Sequence, residues 1–179
     1  MAFFCKNNAR TLPDGPIQNK PNESKRFLIR ILILGILIFV FSHIFFQVYF
    51  VSGISMSPTL TNHQPVIIQK FNLTPSIHVN DIVVIHAKQV NTTIIKRVIG
   101  VPGDQIMIQN GVLYVNGSVF PDVAEFPAIE NPGTADQPVV LGDQQYFVLG
   151  DNRNESIDSR FDEIGIIERA SIIGKVVHP

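Results

Sequence analysis

The sequence has one cysteine, Cys5, so no intrachain disulfide can form and any folded domain relies on its core alone. Charge is scarce and unevenly placed: residues 52–179 hold eight Lys/Arg against thirteen Asp/Glu, whereas residues 1–51 hold six against two. The larger part therefore lacks the basic stripe that phosphate backbones require, and nucleic acid is not an expected partner. The five histidines show no recurrent ligand spacing, so neither a metal nor another cofactor is expected. Beyond residue 60 no stretch sustains a helical period, with only residues 161–170 ambiguous, so that region is not a helical domain. No Ala-x-Ala site follows the one long apolar run, which argues for a retained anchor over a cleaved leader.

What is present falls into three parts. Residues 1–26 carry Pro13, Gly15, Pro16 and Pro21 and read as a flexible tail. Residues 27–51 read as a transmembrane anchor helix whose apolar core, residues 31–51, would be about 30 Å long, the thickness of a bilayer core. Lys20, Lys25, Arg26 and Arg30 precede it, which places the N-terminus in the cytoplasm and residues 52–179 across the membrane. His43, near the exit end, reads as an interfacial residue.

Residues 52–179 read as a single β-rich domain. Short β-branched or aromatic segments at 66–68, 82–85, 93–95, 105–108, 146–149 and 172–177 are separated by Gly, Pro, Asn and Asp. Asn110-Gly111 signals a type I′ hairpin, because both residues accept positive φ. Residues 120–144, with four prolines, form the longest expected loop.

Three stretches carry chemistry. In Gly53-Ile54-Ser55-Met56-Ser57-Pro58-Thr59-Leu60, Pro58 disfavours the α region for Ser57, so an extended, stiff segment is expected. It suits a held nucleophilic hydroxyl or simply a turn after a membrane helix. Lys96-Arg97 lies in a strand, so the two side chains point to opposite faces, one solvated and the other partly buried. A buried lysine has a lowered pKa and becomes a base, while an edge lysine only discourages sheet pairing. Finally, Gly150-Asp151-Asn152-Arg153-Asn154-Glu155-Ser156-Ile157-Asp158-Ser159-Arg160 is either a solvated loop or one in which Asp158 and Arg160 pair and fix the hydroxyls of Ser156 and Ser159.

Taken together, Ser55 to Leu60, Asp81-Ile82-Val83-Val84, Lys96-Arg97-Val98-Ile99-Gly100-Val101-Pro102-Gly103-Asp104, the 150–160 stretch and Ile173-Gly174-Lys175 resemble, in order and spacing, bacterial-type signal peptidase I (leader peptidase) in its short form. The resemblance spans about residues 25–178. It implies a mainly β catalytic domain of antiparallel sheets behind one N-terminal transmembrane helix. It also implies Ser55 as nucleophile, Lys96 as general base, and an acyl-enzyme intermediate. By the same resemblance Ser156 orients the lysine, Asp158 and Arg160 form a supporting salt bridge, and the Ser55 backbone N–H serves the oxyanion hole. Gly53 stands where some relatives supply a serine hydroxyl, and Asn80-Asp81 where relatives often have Gly-Asp.

The partners implied are signal-peptide-bearing preproteins, cleaved after Ala-x-Ala-like sites and bound as an added strand, together with the lipid bilayer. The implied location is the plasma membrane, and an internal membrane such as the thylakoid fits the same pattern. Two other readings compete. A self-cleaving repressor-type protease would have a DNA-binding segment in place of the anchor, and a non-catalytic membrane-anchored binding module would have no need to keep both Ser55 and Lys96.

Overall fold

A computed structural model describes residues 23–70, 76–121 and 126–178. Most of the expected 1–26 tail and part of the 120–144 loop lie outside these residues. Two units are described separately, residues 1–39 and 40–179.

Helix α1 (Glu23–Phe45) is apolar on every side and has no buried residue. Its 23 residues correspond to about 35 Å, enough to cross a bilayer by length and composition. The helix was expected to run to residue 51, yet it stops at Phe45, and β1 (Phe46–Phe50) follows. The reason is a strand partner. Phe46, Val48 and Phe50 alternate with Gln47 and Tyr49, so the segment has two faces 180° apart, and its backbone pairs with β2 (Pro65–Lys70) from Phe46↔Gln69 to Phe50↔Pro65. Tyr49 on the second face packs against the core.

The remaining strands are β3 (Ile82–Ala87), β4 (Thr92–Gly100), β5 (Gln105–Gln109), β6 (Val112–Val115), β7 (Ser118–Val119), β8 (Val139–Val140), β9 (Gln145–Leu149), β10 (Ile167–Glu168) and β11 (Ile172–His178). They form a seven-stranded sheet in the order β1-β2-β11-β3-β4-β9-β10 and a four-stranded sheet in the order β7-β6-β5-β8, every pair antiparallel. The mainly β, antiparallel expectation therefore holds. The ambiguous 161–170 region contains turns and β10.

Burial follows sequence pattern. Ile99, Phe147 and Leu149 of the large sheet meet Ile106, Ile108 and Leu113 of the small one in a shared apolar cluster. A second cluster of Val51, Met56, Leu60, Val66, Ile68 and Val84 anchors the serine-bearing segment to β2 and β3. That segment is turned, not extended as expected. Ser57 N–H donates to Ile54 O (3.0 Å) and Leu60 N–H to Met56 O (2.9 Å), and the Ser57-Pro58 peptide is cis. Burial of Met56 and Leu60 holds the turn against the sheet, so tertiary packing overrides the local preference expected next to proline.

Asn110 (φ 52°) and Gly111 (φ 77°) join β5 to β6 in the expected type I′ geometry. Gly111→Val places a β-branched residue at positive φ, with its Cβ about 3.3 Å from Ala128 Cβ. The expected outcome is a loss of about 2 kcal/mol, seen as a lower urea midpoint with an unchanged slope.

Candidate active site

Strand β4 places Lys96 inward and Arg97 on the opposite face, as strand alternation requires. The lysine is 3% exposed, and its Nζ donates to Ser156 Oγ at 3.0 Å. Ser156 in turn donates its single proton to Asp158 Oδ2 at 2.7 Å, which leaves its lone pairs for the lysine. Asp158 is fully buried and also accepts from Gly150 N–H on Oδ2 (3.0 Å), while Arg160 bonds both of its oxygens (Nε to Oδ1 2.8 Å, Nη2 to Oδ2 2.9 Å). Arg160 itself is 1% exposed, and its guanidinium donates further to the carbonyls of Asn131, Arg153 and Ser156. The charged 150–160 loop is thus folded inward around one carboxylate rather than solvated. Ser159 takes a different role from the one expected, because its Oγ accepts from Val148 N–H (3.0 Å) and so ties the loop to β9.

Ser55 joins this network through the backbone. Its carbonyl accepts from Asn152 N–H (3.0 Å), and Asn152 Nδ2 donates to Ile54 O (3.3 Å). Among the described residues nothing accepts from the Ser55 N–H. Ser55 and Lys96 line one cavity of about 280 Å³ together with Tyr49, Val51, Met56 and Ile95. Met56 is buried in the core and also borders this cavity.

Burial pushes the Lys96 amine down from 10.5 to about 8. Desolvation of the ammonium is the main cause, Arg160 adds to it, and the carboxylates Asp158 and Asp151 oppose it. Because the folded value lies below the unfolded one, the folded protein binds fewer protons between about pH 8 and 10.5, so stability rises with pH through that window. At neutral pH the buried ammonium costs the fold about 3 kcal/mol relative to its neutral form.

Arg97 departs from the expectation that one member of the pair would be solvated. Its Nε and Nη2 bond both oxygens of the fully buried Asp151 (2.7 and 2.6 Å), and its guanidinium, like that of Arg153, lies over the Phe126 ring. Sequence reading missed this second carboxylate–guanidinium pair, although Arg97 stands beside Lys96 and Asp151 lies in the recognised 150–160 stretch. Missed as well was Gly150. A Cβ there would lie 2.5 Å from Ser55 O and from Ser156 Cβ, and closer still to Ser156 Oγ, so the bare backbone lets the two serine segments meet. Gly53 has φ +89° and donates its N–H to Asn62 Oδ1 (3.0 Å). An L side chain is strained at that angle, so glycine suits this position. Asp81, before β3, pairs with Lys175 of β11 at 2.6 Å. Among the described residues no group of three or more His, Cys, Asp or Glu is placed to hold a metal ion.

An apolar N-terminal helix long enough to cross a bilayer, an antiparallel β domain, and a buried lysine–serine–carboxylate chain beside a cavity with a second serine fit the class of membrane-anchored serine hydrolases. Comparison with known proteins narrows the class. The family model "Signal peptidase, peptidase S26" matches residues 24–179. Signal peptidase I U of Bacillus subtilis is 33% identical over 174 residues, covering 93% of this chain and 91% of its own, and signal peptidase IB of Staphylococcus aureus is 31% identical over 170 residues, covering 86% and 87%. A crystal structure of a signal peptidase I from Enterococcus faecalis is 25% identical, with a TM-score of 0.48, covering 59% of this chain and all of that one. This chain belongs to the signal peptidase family as a bacterial type I enzyme, a serine protease that cleaves signal peptides from preproteins.

Gly150→Ala tests the close approach. Displacing Ser55 or Ser156 by about 1 Å should lower kcat/KM by about 100-fold, while circular dichroism of the variant stays that of the folded wild type. Retention of more than half the wild-type rate would show that the loop absorbs the added methyl group.

Proposed function

We propose that the peptidase works through a Ser55–Lys96 dyad. The observation that carries this reading is the buried Lys96 amine, lowered to about 8, held by Ser156 and opening on the cavity that Ser55 also lines. A neutral amine has two N–H donors and one lone pair. With one donor engaged by Ser156 Oγ, the lone pair is free to take the Ser55 hydroxyl proton as that oxygen attacks the scissile carbonyl. The Ser55 N–H, left without an acceptor among the described residues, suits the developing oxyanion. The resulting ammonium then protonates the leaving amine. A water molecule activated by the same amine hydrolyses the acyl-enzyme and restores Ser55. Ser156, Asp158 and Arg160 act through position, by fixing the direction of the Lys96 amine.

Strand registers support a mode of substrate binding. β4 pairs with β3 along residues 92–97 but with β9 only from Arg97 onward, so the backbone of residues 92–96 has an open edge on that side. The cavity beside this edge is bounded across from it by residues 49–52. An extended preprotein segment can add there as a strand, with small side chains before the scissile bond entering the cavity, which supports cleavage after Ala-x-Ala-like sites. For topology, Lys25, Arg26 and Arg30 at the start of α1 favour a cytoplasmic N-terminus. Residues 1–26 then form the cytoplasmic tail and the β domain works on the extracytoplasmic side, which suits export across the plasma membrane.

Two measurements test the mechanism. With a preprotein containing an Ala-x-Ala site, Ser55→Ala and Lys96→Ala should each reduce cleavage by at least about 1000-fold in folded protein, and undiminished cleavage in both would sink the dyad. For wild type, kcat/KM should rise with pH through an apparent pKa near 8, because below it Lys96 is protonated and cannot act as base; at pH 7 about a tenth of the enzyme is competent. A pH-independent rate between pH 6 and about 9 would exclude Lys96 as the titrating base.

A further inference from the structure

Resting on the peptidase reading above, we propose that Glu155 selects among the residues that follow the scissile bond, favouring a basic residue there over an acidic one. The first observation is where the substrate strand must end. From Arg97↔Leu149 onward β9 occupies the edge of β4, so a peptide lying along residues 92–96 cannot continue in the sheet. The cavity ends at the same place: Ser55 and Lys96 line it, and no residue of the 150–157 turn does. Because Leu149, opposite Arg97, leads directly into that turn, the chain beyond the scissile bond leaves over it.

The second observation is what the turn presents. Asn152 clasps the Ile54 and Ser55 carbonyls, and Glu155 N–H closes the turn onto Asn152 O (3.1 Å). Ser156 points inward to Lys96, so its two neighbours, Glu155 and Ile157, are exposed on the outer rim. Glu155 has no ion-pair partner among the described residues. The nearby cations are turned away from the rim. Arg153 is 2% exposed and stacked on Phe126, Arg160 is 1% exposed and bound to Asp158, and Lys96 is buried. A departing chain thus meets the uncompensated Glu155 carboxylate on the rim of the turn whose Asn152 binds the Ser55 carbonyl. An exposed charge of this kind changes rates modestly, about threefold, and salt weakens its effect.

The experiment uses the full chain in detergent and three versions of one preprotein, identical except for Lys, Gln or Glu at the second position after the scissile bond. At low ionic strength wild type should cleave the Lys version about threefold faster in kcat/KM than the Glu version. Glu155→Gln should bring that ratio near one and Glu155→Lys should invert it, while Asp143→Asn, which removes an exposed charge on the β8–β9 turn, should keep the wild-type ratio. About 0.5 M salt should flatten the wild-type ratio. A ratio that is the same in wild type, Glu155→Gln and Glu155→Lys would overturn the proposal. Cleavage of the Gln version by wild type keeps the peptidase reading separate from that result, and its absence would overturn both.

Discussion

The direction of the Lys96 amine and the shape of the 150–160 loop depend on one buried carboxylate. Asp158 receives the Ser156 hydroxyl, the Gly150 N–H and two guanidinium nitrogens of Arg160, all without access to water. Left unpaired, a carboxylate buried there would cost the fold several kcal/mol, a large share of the stability of a typical domain. Arg160 offsets the penalty and spends its remaining donors on the carbonyls of Asn131, Arg153 and Ser156, so the ion pair also shapes the 150–160 loop. Through Ser156 the same carboxylate sets the direction of the Lys96 amine.

The lysine shows a balance between two opposing effects. Desolvation drives its pKa down, whereas Asp158 and Asp151 pull it up, and the net value near 8 leaves an appreciable neutral fraction at physiological pH. Full burial without the carboxylates would lower the value further but would weaken the amine as a base, and full exposure would leave it protonated. The fold bears the cost of a buried ammonium at neutral pH. The apolar clusters on both faces of the large sheet offset that cost.

The 126–136 segment, which reads in sequence as part of a proline-rich loop, is integrated into the site. Asn154 bonds its backbone on both sides of Ile129 (Nδ2 to Ala128 O, Oδ1 from Glu130 N–H), Arg160 holds Asn131 O, and Thr134 N–H returns a bond to Arg160 O. Phe126 lies under two guanidinium groups. The loop that carries Ser156 is therefore braced from outside as well as from within.

Much of this was legible in the sequence, because much of it is local. The apolar run specified a helix, period-two segments specified strands, and Asn110-Gly111 specified its own turn through the conformations those two residues accept. The ordered motifs drew attention to Ser55, Lys96, Ser156, Asp158 and Arg160, since each motif is a short stretch whose residue types are readable one by one. Tertiary structure alone decided the rest. The helix ends at Phe45 because β2 offers the next five residues a pairing partner, which the apolar composition of that segment does not reveal. The serine segment turns because Met56 and Leu60 are buried by strands that follow it in the chain. The Arg97–Asp151 pair and the close approach at Gly150 join residues more than fifty positions apart, and such contacts arise from sheet register and packing, not from local propensity.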